Sequence, residues 1–148
     1  MRPEETVDYH IKSSWHSISR MYNQLGSAYD LTQATGYVLL IIDEEGTPAT
    51  KIGPMMGMEA TGMSRILKSM ENDSLIFRVK DDNDGRRVKI YLTKSGLEKQ
   101  KIVRQVVRSF NDRILKEIGE REFDAFKNII QKVHDVVDEY KQLTIDKL

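Results

Sequence analysis

Between Thr47 and Leu92 the apolar period of the chain changes once, from helical to alternating, and that change narrows the folds it can adopt. The segment "TPATKIGPMMG" reads as a short helix, with Thr47 as N-cap and Pro48 at the first helical position. Pro54 ends or distorts it, and Gly57 supplies a turn. Met58 and Glu59 start a second helix. In it Met63, Ile66, Leu67 and Met70 fall at i, i+3, i+4 and i+7 and define one buried face. "LIFRVK" and "RVKIYL" alternate instead, around the turn-rich "DDNDG", so they pair as a hairpin. Val88, Ile90 and Leu92 share one face of its second strand; Lys89 and Tyr91 share the other. Two helices joined by a tight turn and followed at once by a hairpin make a winged helix-turn-helix.

Helices flank this lobe. Val7, Ile11, Trp15, Ile18, Tyr22 and Leu25 recur at helical spacing over about residues 5–28. Thr32 caps a helix that carries "YVLLII" to about Glu45, where Gly46 stops it. Thr93 caps a long helix through about Lys116, and Gly119 breaks it. Beyond the break, Phe123, Phe126, Ile130, Val133, Val137 and Tyr140 are spaced 3, 4, 3, 4, 3, an a/d seam widened by Ile129, Val136 and Leu143. A helix this apolar needs a partner surface, which the first helix or a second subunit can supply.

The 148 residues suit one domain. The absence of cysteine excludes disulfides, thiol redox sensing and Cys-based zinc sites. There is no apolar run of about 18 residues and no signal-type N-terminus, so the expectation is a cytoplasmic protein with no membrane contact. His10, His16 and His134 lack metal-ligand spacing, and no metal or cofactor is expected. No Gly-rich phosphate loop, Ser/His/Asp arrangement or carboxylate–His cluster is present, which argues against an enzyme. Net charge is zero, but its distribution is uneven. Residues 47–116 carry 15 Lys/Arg and 8 Asp/Glu, whereas the two ends together carry 8 and 15. A basic middle attracts phosphates even in a neutral molecule.

With its apolar face turned inward, the second motif helix presents Thr61, Ser64, Arg65 and Lys68 outward. A bare helix matches the major groove, about 12 Å wide. There Arg65 and Lys68 reach phosphates or guanine edges, and Thr61 and Ser64 donate to phosphate or read a base. Glu59 either caps the helix or accepts from a cytosine. The hairpin tip reaches the adjacent minor groove, whose negative potential favours an inserted guanidinium. Arg86 is the candidate, held by Asp84, with Arg78, Lys80, Arg87 and Lys89 as phosphate contacts. The bland alternative is a solvated ion pair worth about 0–1 kcal/mol. The rival function is a winged helix that binds protein instead of DNA. Such an adaptor would not need Arg65, Lys68, Arg86 and Arg87 on one side.

"DGRRVKIYLTKSG" resembles the Asp-x-Arg and Leu-Thr-x-x-Gly pattern at the wing of the MarR family, with Asp84, Arg86, Leu92, Thr93 and Gly96 in those places. "MGMEATGMSRILKSMENDSLI" resembles that family's recognition helix, and the helix order matches along nearly the whole chain. The chain departs where family members often carry Gly before Leu75 and here Asp73-Ser74 stands. The resemblance implies a mainly α fold with a small β-hairpin wing, as one domain over residues 1–148. Residues 46–93 would form the DNA-binding lobe, and residues 1–30 and 94–148 the dimerisation region. It implies a homodimer held by Val7, Ile11, Phe123, Phe126, Ile130, Val133, Val137 and Tyr140. It implies binding of double-stranded DNA at a pseudo-palindromic operator, and repression released by a small anionic or phenolic effector. Trp15, His16, Tyr22 and Tyr37 would line the effector pocket, unless the aromatic members are plain core.

Overall fold

The structure, a computed structural model, describes residues 1–80, 82–84 and 87–145, with side chains through Leu143. Two compact units make up the chain, Met1–Gln105 and Val106–Leu148.

In the first unit, α1 (Val7–Gly26) is capped by Thr6, whose hydroxyl accepts from the Tyr9 N–H at 3.3 Å. α2 (Gln33–Ile41) starts in a capping box. Thr32 Oγ1 accepts from the Thr35 N–H at 3.1 Å, and Thr35 Oγ1 accepts from the Thr32 N–H at 2.9 Å. α2 ends at Ile41, short of the expected Glu45. Ile42 turns extended, and the Gly46 N–H donates to the Asp43 carbonyl at 3.0 Å to close a turn. Gly46 has φ +81, and a Cβ there would lie 2.4 Å from the Tyr91 ring, so no other residue fits without displacing that ring.

The expected N-cap at Thr47 is corrected. Thr47–Pro48 forms a short strand, β1, antiparallel to β3 (Val88–Leu92), with Thr47 opposite Ile90 and Pro48 opposite Lys89. The Thr47 hydroxyl faces back to α2, accepting from the Asp43 N–H at 2.9 Å and donating to the Ile41 carbonyl at 3.3 Å. Pro48 is therefore the N-cap residue of α3 (Ala49–Met55), not its first helical residue. An edge strand tolerates proline because one side of it needs no ladder N–H. Pro54 lies inside α3 without ending it at once, and Gly57 turns the chain at φ +61.

α4 (Ala60–Asn72) starts after both Met58 and Glu59, which were expected to open it. Glu59 holds the N-cap position but makes no side-chain cap bond. Met63, Leu67 and Met70 of α4 are buried as the spacing predicted, while Ile66 is half-buried against the same core. The three buried residues join Leu31, Val38, Leu39, Ile42, Ile52, Leu75, Ile76 and Ile90 in one core. Each fully buried aliphatic side chain in such a core contributes about 1.5–3 kcal/mol. β2 (Ile76–Lys80) pairs with β3 from Ile76–Leu92 to Lys80–Val88, and the sheet order is β1–β3–β2.

α5 (Lys94–Ile145) begins at a Thr93 cap, whose hydroxyl accepts from the Gly96 N–H at 3.0 Å and donates to the Ser74 carbonyl at 2.6 Å. Buried Gln100 donates from Nε2 to the Leu39 carbonyl and, at 2.9 Å, to the Ile42 carbonyl. It thereby satisfies carbonyls that the end of α2 leaves open. Gly119, at φ 80 and ψ 166, interrupts α5 as expected of a helix breaker. In the second unit the expected seam is largely uncovered in the single chain. Phe126, Val137 and Tyr140 are exposed, as are Ile129, Val136 and Leu143, while Phe123, Ile130 and Val133 are half-buried.

Candidate nucleic-acid interface

Burying Met63, Leu67 and Met70 forces the opposite side of α4 outward, and Thr61, Ser64, Arg65 and Lys68 are all exposed there. Among the described residues neither Arg65 nor Lys68 has an acidic partner. Their charges are therefore available to an external anion.

The wing is built by alternation. Ile76, Arg78 and Lys80 share the face of β2 that opposes Val88, Ile90 and Leu92. Phe77 lies on the other face and stacks on Tyr91 with centroids 5.5 Å apart. Arg78 is not free: its Nε donates to Glu71 Oε2 at 3.1 Å, tying the last turn of α4 to the middle of the wing strand. Near the tip, the Arg87 N–H donates to the Asp84 carbonyl at 2.8 Å, and Arg87 Nε lies 3.6 Å from Asp84 Oδ2. Arg86, and with it the expected Asp84–Arg86 contact, lies outside the described residues.

The pairing of β1 with β3 brings the first turn of α3 beside the wing. A groove of about 700 Å³ opens between them, lined by Lys51, Arg78, Lys80, Arg87 and Lys89, with Asp82 the one carboxylate among the described residues. Among the described residues, five cations against one anion make a positive concavity, which attracts a polyanion. Lys51 was not among the residues expected from the sequence. The signal was present in its charge, but its place beside the wing depends on a strand pairing that local pattern does not announce. A second groove, of about 410 Å³, runs between α3, α4 and β2, with Met63 and Leu67 among its apolar residues and Ser64 and Arg78 among its polar ones.

The aromatic candidates lie together. Tyr37 of α2 meets Trp15 edge-on at 6.2 Å and Tyr22 at 6.4 Å, both residues of α1. Burial, and then the neighbouring Tyr37, push the Tyr22 phenol above its ordinary value. Trp15 is partly exposed, and His16 is exposed on the same helix. Val7 and Ile11 are exposed on α1. No cluster of three or more His, Asp or Glu suited to a metal occurs among the described residues, and none of their helices is long and apolar enough to cross a membrane.

A two-helix motif with an uncovered polar and cationic face, followed by a basic three-stranded wing, defines a winged helix-turn-helix lobe. Residues 29–87 match the sequence model of the MarR family. The regulator TtmR of Methylorubrum extorquens, strain PA1, is 32% identical over 82 residues, covering 55% of this chain but only 42% of TtmR. The HTH-type transcriptional regulator SarZ of Staphylococcus epidermidis is 27% identical over 122 residues, covering 80% of this chain and 82% of SarZ. Among solved structures, S. aureus MepR in complex with DNA superposes with a TM-score of 0.80 at 22% identity, over 88% of this chain and 98% of that one. The winged lobe thus carries the MarR family match, and the curated relatives that the chain resembles over most of its length are HTH-type transcriptional regulators.

Proposed function

We propose that the chain binds a pseudo-palindromic operator as a homodimer. α4 would lie in the major groove and the wing against the neighbouring minor groove. The observation that carries this reading is the outer face of α4, where Thr61, Ser64, Arg65 and Lys68 are exposed beside the cationic wing-root groove. In this reading Arg65 reads a base edge, and Lys68, Lys80, Arg87, Lys89 and Lys51 meet phosphates. Arg86 enters the minor groove from its position in the sequence. The MepR structure contains DNA, which supports the same assignment by analogy of fold. A homodimer places two copies of α4 about 34 Å apart, one turn of duplex.

Control follows the same proposal. The chain acts as a repressor, and a small anionic or phenolic effector releases it by binding at Trp15, His16, Tyr22 and Tyr37. The edge-on ring contacts among three of these residues supply an aromatic surface suited to a phenol.

Selection of bound sites from random duplex DNA, repeated with a panel of aromatic acids and phenols, tests both parts. Enrichment of a two-fold site, lost with at least one compound, is the expected result. Absence of any enriched sequence would refute operator recognition. Arg65→Ala should weaken binding by about 1–3 kcal/mol and relax preference at one base pair in each half-site. A uniform loss across sequences would instead make Arg65 a phosphate contact.

A further inference from the structure

We propose that Glu71 is a specificity element of this interface: by holding Arg78 it keeps the wing in register with α4 on the operator, and it also limits the attraction that ignores sequence. The inference rests on the DNA-binding reading above. Arg78 lines both grooves of the candidate interface. The lysines that share the larger groove with it, Lys51, Lys80 and Lys89, have no acidic partner among the described residues. Arg78 does have one, and it comes from the recognition helix itself, with Nε 3.1 Å from Glu71 Oε2.

The two arginine pairs of the wing differ in kind. Arg87 at the tip is 78% exposed and 3.6 Å from Asp84, so salt and water weaken that contact and leave the guanidinium free to turn toward phosphate. Arg78 and Glu71 are 35% and 41% exposed and in direct hydrogen-bond contact, a better-shielded and charge-assisted pair. A cation held in this way releases few counterions from DNA. Each phosphate contact steepens the salt dependence of binding by about 0.9 in log–log slope, and that gain is the same for every sequence. Suppressing one such contact lowers random binding. The same bond holds β2 at a set place on α4, which keeps the wing in register with the recognition helix when the operator is bound. Glutamine at position 71 keeps the size and an acceptor oxygen but removes the charge that restrains Arg78.

The test uses the full chain, with fluorescence anisotropy on a selected operator and on random duplex across a salt series. Elution from an immobilised sulfated polysaccharide is measured alongside. For E71Q, affinity for random duplex should rise about five- to ten-fold near 0.1 M salt, and the slope should steepen by about 0.9. The operator-to-random ratio should fall, because the added phosphate contact strengthens both duplexes alike while the released wing loses its register on the operator, and elution from the polysaccharide should need more salt. In an R78Q background, E71Q should change none of these. An unchanged slope in E71Q would overturn the proposal. So would a change that persists without Arg78, since Glu71 would then act through its own charge. A wild-type chain that binds no duplex at any salt refutes the regulator reading instead, and the polysaccharide elution still reports whether Glu71 restrains Arg78.

Discussion

Ser74 sits at φ +56, in the left-handed region that costs a residue with a Cβ about 1–2 kcal/mol. It occupies the sharp exit from α4, where its N–H donates to the Glu71 carbonyl at 3.0 Å and its carbonyl accepts from Thr93. These bonds use backbone atoms of residue 74, so Ser74→Gly keeps them and relieves the strain. Allowing for glycine's greater freedom in the unfolded chain, the substitution should stabilise the fold by about 0.5–1 kcal/mol, read as a higher thermal midpoint. An unchanged or lower midpoint would mean that the Ser74 side chain contributes more than its backbone costs. Tyr22 makes a pH-dependent contribution. Its phenol titrates above the ordinary value because the buried site, and then Tyr37, disfavour the phenolate. The fold therefore keeps this contribution below the unfolded phenol pKa of about 10 and loses it as pH rises through the elevated folded value. Alkaline denaturation should show that loss, and Tyr22→Phe should diminish it.

Among the elements, β1 shows how a local signal misleads. Thr-Pro before a helical run satisfies the rules for an N-cap and first turn, and the same dipeptide serves as a two-residue edge strand. The Thr47 hydroxyl bonds to α2 instead of capping α3, and that choice follows from the turn at Asp43–Gly46, which Tyr91 covers. The consequence reaches the interface, because it sets Lys51 beside the wing. Gln100 joins elements in a comparable way, with one buried amide serving two carbonyls at the end of α2. Gln100→Met keeps the volume and removes both bonds. Leaving buried carbonyls unpaired costs about 1–3 kcal/mol, so urea denaturation should show a loss of that size. A loss below about 0.5 kcal/mol would mean that water reaches those carbonyls.

On the scale of the whole molecule, the apolar rows of the second unit are the largest unmet demand. Phe126 is 53% exposed and Tyr140 70% in the single chain, on a helix whose seam repeats in heptads. Single exposed apolar residues are ordinary, but a continuous stripe of them marks an interaction surface. In the homodimer reading a second copy covers it. Replacing Val133 and Val137 together with Asp should give a monomer in sedimentation velocity and weaken operator binding. A dimer that survives both charges would move the interface elsewhere. Charge distribution fits the same assembly. The acidic C-terminal end, residues 117–148, lies in a segment assigned to dimerisation, and the basic middle holds the motif helices, the wing and the start of α5.

Apart from β1, the sequence by itself determined the kinds of element and their order, because helix period, strand alternation and caps are set by residues within about four positions of each other. It also determined which face of α4 is polar, since Met63, Leu67 and Met70 leave Arg65 and Lys68 only the other side. Only the tertiary structure decided the contacts between elements. Thr47 finds Ile90, Gln100 finds Leu39 and Ile42, Trp15 and Tyr22 find Tyr37, and Glu71 finds Arg78 across the exit of α4. Such partners are chosen by how the packed elements close on one another in space, and no local period encodes that closure.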